Sequence, residues 1–339
     1  MQIAFVSVLL VILLASARLV RWNEDYIGIR TTSVINGLFI WLVFMSHFTQ
    51  YLPEYANNII GTVMGQLVVV MFLFYSGYGC ALQYKLKGGG YLKDFPRKRI
   101  LVTFVNFAIA VCVFVAVGIV LGKSFALRQI LLSILAWDSV GNSNWYIFTI
   151  LVCYVVFWLS AAFCSRRMIQ VSLVILSLMI FVALLSRVKP SWWYDTVMAF
   201  GAGVVYGSYR KGVENLIRKH YVCFLIMVVL LFLSIEYFPF IGTRHWIAFN
   251  VKSVLFAFIV IILTMKVSLR SKLFQWSGEH LFPLYIYQRI PMIVFSTLHP
   301  VAFQDFRCWI YFVLSMAISI AIAFFYPKFQ FMPAKYKAK

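Results

Sequence analysis

Eleven long apolar runs divide this chain, and their length decides what it can fold into. Each run holds about 17–25 residues, which is the length of helix that crosses the hydrocarbon core of a bilayer. The runs are continuously apolar and do not alternate with polar residues, so they favour helices over the strands of a membrane barrel. We therefore predict an all-α, polytopic membrane helical bundle. The runs are 3–20, 34–52, 59–83, 100–121, 144–164, 169–186, 192–208, 221–238, 247–267, 281–297 and 308–326.

The distribution of Lys and Arg predicts the orientation of this bundle. If the runs cross the membrane in turn, 22 of the 30 basic residues fall on one side and six on the other, while Lys252 and Arg289 lie within runs. The positive-inside rule then places the N-terminus outside and the C-terminus in the cytoplasm of a multi-pass cell-membrane protein. The net charge of +20 is explained by this topology, so we expect contact with membrane lipid and no nucleic-acid partner.

The first run resembles a signal peptide only in its length. Its N-terminal flank, MQIAF, carries no basic residue, whereas Arg18 and Arg21 follow the run. A secretory signal has the opposite polarity and a small-residue cleavage site. We therefore predict a retained transmembrane helix.

One histidine, His47, lies inside the second run. An imidazole at membrane depth is costly unless it faces a polar cavity, so it marks a candidate functional site. Asn36 lies eleven residues earlier, which leaves about 20° of rotation and about 16 Å of rise between the two side chains on a helix. The shared polar face predicts a lined passage, although a neighbouring helix could simply satisfy the histidine.

Two neighbouring segments on the basic side form a candidate phosphate site. The loop 84–100 carries six basic residues and one acid, and it contains Arg97, Lys98 and Arg99 after a flexible triple glycine. Two arginines and a lysine suit a phosphorylated ligand. Retention of the loop in the cytoplasm and contact with anionic lipid headgroups would explain the same charge. The preceding helix ends in YSGYGC (75–80), where glycines allow a ligand's passage or close helix packing.

The opposite side carries aromatic and amide side chains. Asn144, Trp145 and Tyr146 follow a 122–143 connection whose apolar middle is too short to span and suits an interfacial or re-entrant helix. These side chains could bind sugar rings or simply anchor the chain at the interface. Arg289 lies mid-run beside Pro283 and Pro291, so it must face protein or water.

No metal site is expected. The six cysteines are scattered and mostly within runs, and no His, Cys and carboxylate cluster has metal-ligand spacing. The sequence also contains no glycine-rich nucleotide fingerprint. We therefore predict no permanently bound cofactor.

The ordered set of these segments resembles the acyltransferase 3 family of integral membrane O-acyltransferases, over residues 30–326. Members carry an Arg and, after ten residues, a His in an early helix, followed by further short motifs in a set order. The matching segments are Asn36-Gly37 through His47, FLFYSGYG (72–79), FPRKRI (95–100), SNWYIF (143–148), AFGAGVVYGS (199–208) and SGEHLFPLYIYQRI (277–290).

The resemblance also implies a division of the chain. Residues 30–327 would form the family's ten-helix domain, 1–29 an added helix with a cytoplasmic link, and 328–339 a basic cytoplasmic tail.

Two positions depart from the family pattern. Asn36 replaces the arginine of the early pair, and Gln288 replaces a late histidine, so any role for a cation at the first position falls to another residue.

The resemblance implies transfer of an acyl group, often acetyl, from cytoplasmic acyl-CoA as co-substrate to a hydroxyl of a cell-surface or lipid-linked carbohydrate. Neutral His47 would act as general base on that hydroxyl, with an acyl-His intermediate as the competing route. Asn36, Ser76, Tyr78 and Arg289 are candidate oxyanion donors. Ser76, Gly77, Tyr78, Arg97, Lys98 and Arg99 would bind the donor, and Asn144, Trp145, Tyr146 and Arg289 the acceptor.

Two other functions fit parts of the sequence. The intramembrane charges Lys252 and Arg289, with the prolines of the same run, would suit a transporter or flippase of a lipid-linked saccharide. The Asn36 and Gln288 departures would suit an inactive acyltransferase-like protein with a binding role.

Overall fold

The computed structural model describes residues 1–52, 61, 64–237 and 245–331. Helices account for most of this part of the chain, and its one sheet is a two-stranded ribbon. Seven helical segments are long and apolar enough to cross a membrane, and a pair bent by 100° around residue 220 makes an eighth if counted as one span. The predicted all-α membrane bundle is confirmed, while the count of eleven spans stays a prediction.

Fifteen α-helices follow one another along the described chain. They are α1 (Gln2–Ser16), α2 (Ile29–Phe48), α3 (Val70–Lys87), α4 (Gly89–Phe95), α5 (Val102–Val120), α6 (Leu127–Ile134), α7 (Trp145–Phe163), α8 (Arg167–Leu185), α9 (Met198–Lys219), α10 (Tyr221–Tyr237), α11 (His245–Thr264), α12 (Lys272–Glu279), α13 (Leu281–Tyr287), α14 (Arg289–Leu298) and α15 (Cys308–Phe325). The strands are β1 (Ala17–Leu19) and β2 (Val267–Leu269), which pair antiparallel.

Helices α2 and α3 form the centre of the bundle. An apolar 18-residue stretch of the helical segment that contains α2 is 67% buried, and the corresponding stretch for α3 is 72% buried. In the other single spanning segments this fraction is 22–44%. A helix that is apolar on every face belongs in the interior, and these two carry buried residues on all sides. Polar residues in the buried stretches of either helix therefore face protein or a cavity, whereas Arg30, Lys85 and Lys87 at the helix ends are exposed.

Glycines bring two helix pairs into backbone contact. A Cβ on Gly37 of α2 would overlap the carbonyl oxygen of Phe274 in α12, and one on Gly278 would overlap that of Ser33. The α3–α9 crossing repeats this arrangement, with Gly77 against Phe200. Small residues permit such close approach in membranes, where packing rather than apolar burial drives association.

Four predicted runs differ in the structure, because one is shorter, one is broken and two are joined at a bend. Helix α1 ends at Ser16 because residues 17–19 leave the helix to pair with 267–269, and its 15 residues rise only about 22 Å. The run 281–297 divides at Gln288 into α13 and α14. The bend at residue 220 joins the runs 192–208 and 221–238.

The connection after α5 folds back toward the bundle. Its apolar middle forms the short helix α6, as predicted from the 122–143 segment. Ala136 and Gly141 then take positive φ values of 58° and 113°. These two turns redirect the chain so that Ser139 and residues 142–145 line a cavity.

Candidate functional site

Two cavities lie at opposite ends of α2 and α3. The histidine cavity, about 560 Å³, is lined by His47 and Gln50 near the end of α2 and by Val68 and Val69 just before the start of α3. The basic-loop cavity, about 820 Å³, is lined by residues of the opposite ends, and Arg99 and Lys98 contribute to it. Along α2 the two linings end at Thr32 and at Val43, which are eleven positions, or about 16 Å, apart.

His47 is the titratable residue at the inner wall of the histidine cavity. Its side chain is 8% exposed, and its Nδ1 atom is buried without a hydrogen-bond partner among the described residues. The Tyr285 ring of α13 lies 6.1 Å from the imidazole, centroid to centroid. A buried ring nitrogen without a partner calls for an explanation, and a molecule bound in the adjoining cavity is one.

Arg289 brings a positive charge to the same cavity. The helix break at Gln288 places Arg289 at the start of α14, where its Nη2 donates to Gln50 Oε1 at 2.9 Å. Its Nε is buried with no hydrogen-bond partner in the described part of the chain. Gln288 itself is fully buried, and its Oε1 is likewise unpartnered there.

The loop before α7 supplies the third wall. Asn142, Ser143, Asn144 and Trp145 all line the histidine cavity. The Asn144 amide holds the loop by donating to the carbonyl oxygens of residues 136 and 138 at 3.3 and 2.9 Å. Tyr146 lies behind this wall, with its ring 5.2 Å from that of Tyr285.

The predicted donor residues divide between lining and packing positions. Tyr78, Lys98 and Arg99 line the basic-loop cavity, and Lys98 also forms an ion pair with Asp94 at 2.8 Å. Arg97 is exposed and lies outside the lining. Gly77 and Ser76 do not line it either, and Gly77 fills the helix-packing role that the sequence left open.

Two unpartnered polar atoms lie on the helices that join the cavities. Asn36 Oδ1 on α2 and the Tyr75 hydroxyl on α3 are buried without hydrogen-bond partners among the residues described. Tyr75 lines the basic-loop cavity, whereas Asn36 lines neither. Each unsatisfied buried group costs about 1–3 kcal/mol, so such groups call for an explanation, of which a ligand is one.

Several lining residues were missed in the sequence. Gln50 follows His47 by three residues on one helix face, a spacing that predicts their proximity. Tyr75, Tyr285 and Arg210 gave no such signal, because their positions depend on how α3, α13 and α9 pack. Among the described residues, no group of three or more His, Cys, Asp or Glu side chains is arranged to hold a metal ion.

Comparison with known families matches one of them to most of the chain. A family model described as an acyltransferase domain, Acyl_transf_3, covers residues 33–326. No curated protein and no solved structure matches the chain significantly. The matched region contains both cavities except for the residues before position 33 that border the basic-loop cavity.

Proposed function

Because this chain belongs to the acyltransferase 3 family and is a membrane acyltransferase, we propose that it acylates a carbohydrate hydroxyl across the membrane. The donor is acyl-CoA, with acetyl as the acyl group, bound on the cytoplasmic side. The acceptor is a cell-surface or lipid-linked carbohydrate, which enters from the outside. The protein lies in the cell membrane with its N-terminus outside and its C-terminus in the cytoplasm.

One observation carries this proposal. A cavity with cationic lining and a cavity containing a buried histidine lie at opposite ends of the same two helices. A phosphorylated donor and a neutral sugar need these two chemistries. A transferase that draws on pools from both sides of a membrane needs them at opposite ends.

The donor would lie with its phosphates in the basic-loop cavity and its pantetheine arm between α2 and α3. Arg99 and Lys98 supply charge-assisted hydrogen bonds to phosphate oxygens. The unpartnered oxygens of Asn36 and Tyr75 match the polar amides of such an arm. Binding would satisfy groups that are costly to bury alone.

At the other end, His47 would act as general base. Its unpartnered nitrogen removes the proton of the sugar hydroxyl as that oxygen bonds to the thioester carbonyl carbon. The C–S bond then breaks, and the CoA thiolate leaves and takes up the proton that His47 removed, which restores the neutral imidazole. Arg289, on the same cavity, supplies donors for the oxyanion.

The acceptor would be held by the loop before α7. Trp145 and Trp192 offer aromatic faces to the histidine cavity, while Asn142 and Asn144 offer amides. An apolar ring face beside hydrogen-bonding groups suits a sugar, which has both kinds of surface. Arg289 brings a positive charge to this lining, which suits an uncharged or anionic acceptor.

The test is transfer by the purified protein. Proteoliposomes with radiolabelled acetyl-CoA on one side and cell-envelope glycans on the other should release labelled glycan. Binding of acetyl-CoA without any transfer to glycan would contradict the proposed reaction and support a binding protein instead.

Arg99 and Arg97 offer an internal comparison for the donor site. Arg99→Ala should weaken acetyl-CoA binding by about tenfold or more, since one charge-assisted contact is lost. Arg97→Ala should change it much less, because Arg97 does not line the cavity. Equilibrium binding measures both, and equal losses in the two variants would contradict the placement of the phosphates.

The proposed orientation predicts a labelling pattern. Single cysteines introduced at 85–99 should react with a membrane-impermeant thiol reagent only after the cells are opened, because the basic loop lies in the cytoplasm. Cysteines introduced at 123–128 should react in intact cells. Labelling of 85–99 from outside intact cells would reverse the orientation and with it the side of the donor.

A further inference from the structure

A buried group of tyrosines holds one arginine at the edge of the basic-loop cavity. Tyr26 and Tyr206 are 0% and 1% exposed, and their hydroxyls lie 2.7 Å apart. Arg210 Nε donates to the Tyr26 hydroxyl at 3.2 Å and to Glu214 Oε2 at 3.3 Å, and its Nη1 donates to the Tyr78 hydroxyl at 3.1 Å. The guanidinium also lies 5.1 Å from the Tyr26 ring centroid. Arg210 is thus fixed in one orientation.

Part of this guanidinium remains available to a ligand. An arginine has five N–H groups, and the bonds of Arg210 use only the Nε group and one on Nη1. The Nη2 groups have no hydrogen-bond partner in the described part of the chain, and Arg210 lines the cavity. Glu214 is shared with Arg218, whose Nη2 lies 2.8 Å from it, so it does not neutralise Arg210 alone. A pre-oriented fork of this kind suits phosphate oxygens.

Two departures from regular helix carry three of the four cations that line this cavity. Pro96–Leu101 forms a π-helical segment that bears Lys98 and Arg99. Helix α9 breaks at Tyr209, with φ −117° and ψ 18°, directly before Arg210. Such irregularities are frequent at functional sites because they redirect side chains. Here both border the same cavity.

The balance of charge around the cavity also favours an anion. Four cations line it, Lys87, Lys98, Arg99 and Arg210, against the carboxylates of Glu24, Asp25 and Asp94. Two of these carboxylates are already in ion pairs. Asp94 pairs with Lys98 at 2.8 Å, and Glu24 pairs with Arg218, which lies outside the lining. Arg210 in turn pairs with Glu214, which also lies outside the lining. With both outer partners counted, five cations face four carboxylates, so cationic groups are in excess by one.

We propose that Arg210 is a phosphate-binding residue for the nucleotide part of the acyl-CoA. It reaches the phosphates from α9, whereas Lys98 and Arg99 reach them from the π-helical segment. Tyr26 and Tyr78 are positioning residues that hold the guanidinium. This inference rests on the proposed function, in which acyl-CoA enters the basic-loop cavity.

The test compares CoA with pantetheine, which has the same arm without phosphates. Binding of both is measured with the purified full-length protein in neutral detergent free of anionic lipid. Arg210→Gln should weaken CoA binding by about 10- to 100-fold and leave pantetheine binding unchanged. Arg210→Lys should be intermediate, because it keeps the charge but loses the fork. Lys211→Gln is the matched control, since this exposed neighbour lies outside the lining and should bind CoA like wild type.

The possible failures are distinguishable. Wild-type affinity for CoA in Arg210→Gln would overturn the role of Arg210 but leave the donor site in place. An equal loss of CoA and pantetheine binding would show that Arg210 only supports the fold of the cavity. A wild-type protein that does not bind CoA would overturn the proposed donor as well.

Discussion

His47→Ala is expected to abolish acyl transfer while the protein is still made and inserted into the membrane. General base catalysis contributes about 10²–10⁴-fold, so activity should fall by at least about a hundredfold. His47→Gln should be nearly as inactive, because glutamine keeps a hydrogen-bonding side chain but cannot accept the proton at neutral pH. Asn36→Ala should lower activity less, since it removes a polar contact and no base.

The matched control is another histidine outside both cavities. His299 is exposed and stacks on Tyr311, so His299→Ala should transfer acyl groups like wild type. Initial rates with labelled acetyl-CoA and glycan measure all four variants. More than about a tenth of wild-type activity in His47→Ala would contradict the assignment of the base, because so small a loss is below the usual range.

Gly37→Leu and Gly278→Leu are expected to destabilise the whole bundle. A Cβ at either position overlaps a backbone carbonyl across the α2–α12 crossing, and backbone cannot move aside as a side chain can. Overpacking of this kind costs about 1–3 kcal/mol or more. The crossing also carries the 2.9 Å hydrogen bond from Trp41 Nε1 to Ser277 Oγ, which separation of the helices would break. Thermal unfolding in detergent should show a lower midpoint, and acyl transfer should fall because α2 carries His47.

Gly212→Leu provides the same substitution in open space. Nothing lies within 4 Å of a Cβ at Gly212, which is exposed on α9, so the midpoint should stay near wild type or rise slightly through better helix propensity. If Gly37→Leu and Gly278→Leu unfold at the same temperature as Gly212→Leu, the backbone contact at this crossing does not exist in the membrane-embedded protein.

Sequence patterns predicted the fold class well because a bilayer leaves few alternatives. Backbone groups in hydrocarbon must pair within their own segment, so long apolar runs become helices whatever their neighbours are. The short helix α6 followed from the same argument about length. The end of α1 at Ser16 could not be predicted in this way. It depends on the pairing of residues 17–19 with 267–269, which are distant in sequence.

The candidate site was only partly predictable, because some of its residues come together only through packing between distant segments. His47 was found because its position within an apolar run can be read from its own helix alone. A polar residue there stands out against apolar neighbours. Tyr75 and Arg210 have no such contrast, since tyrosines and arginines are common near the ends of membrane helices. The meaning of Gly77 was open until its contact with Phe200 showed helix packing.

The sequence by itself therefore determined the helical class and the position of His47 within an apolar helix. Each of these depends on local composition along one segment. Only the tertiary structure decided that Arg99 and Arg210 share a cavity, that Tyr285 lies beside His47, and that both cavities border α2 and α3. Those relations depend on which helix faces meet, and that is set by close backbone packing between segments far apart in the chain.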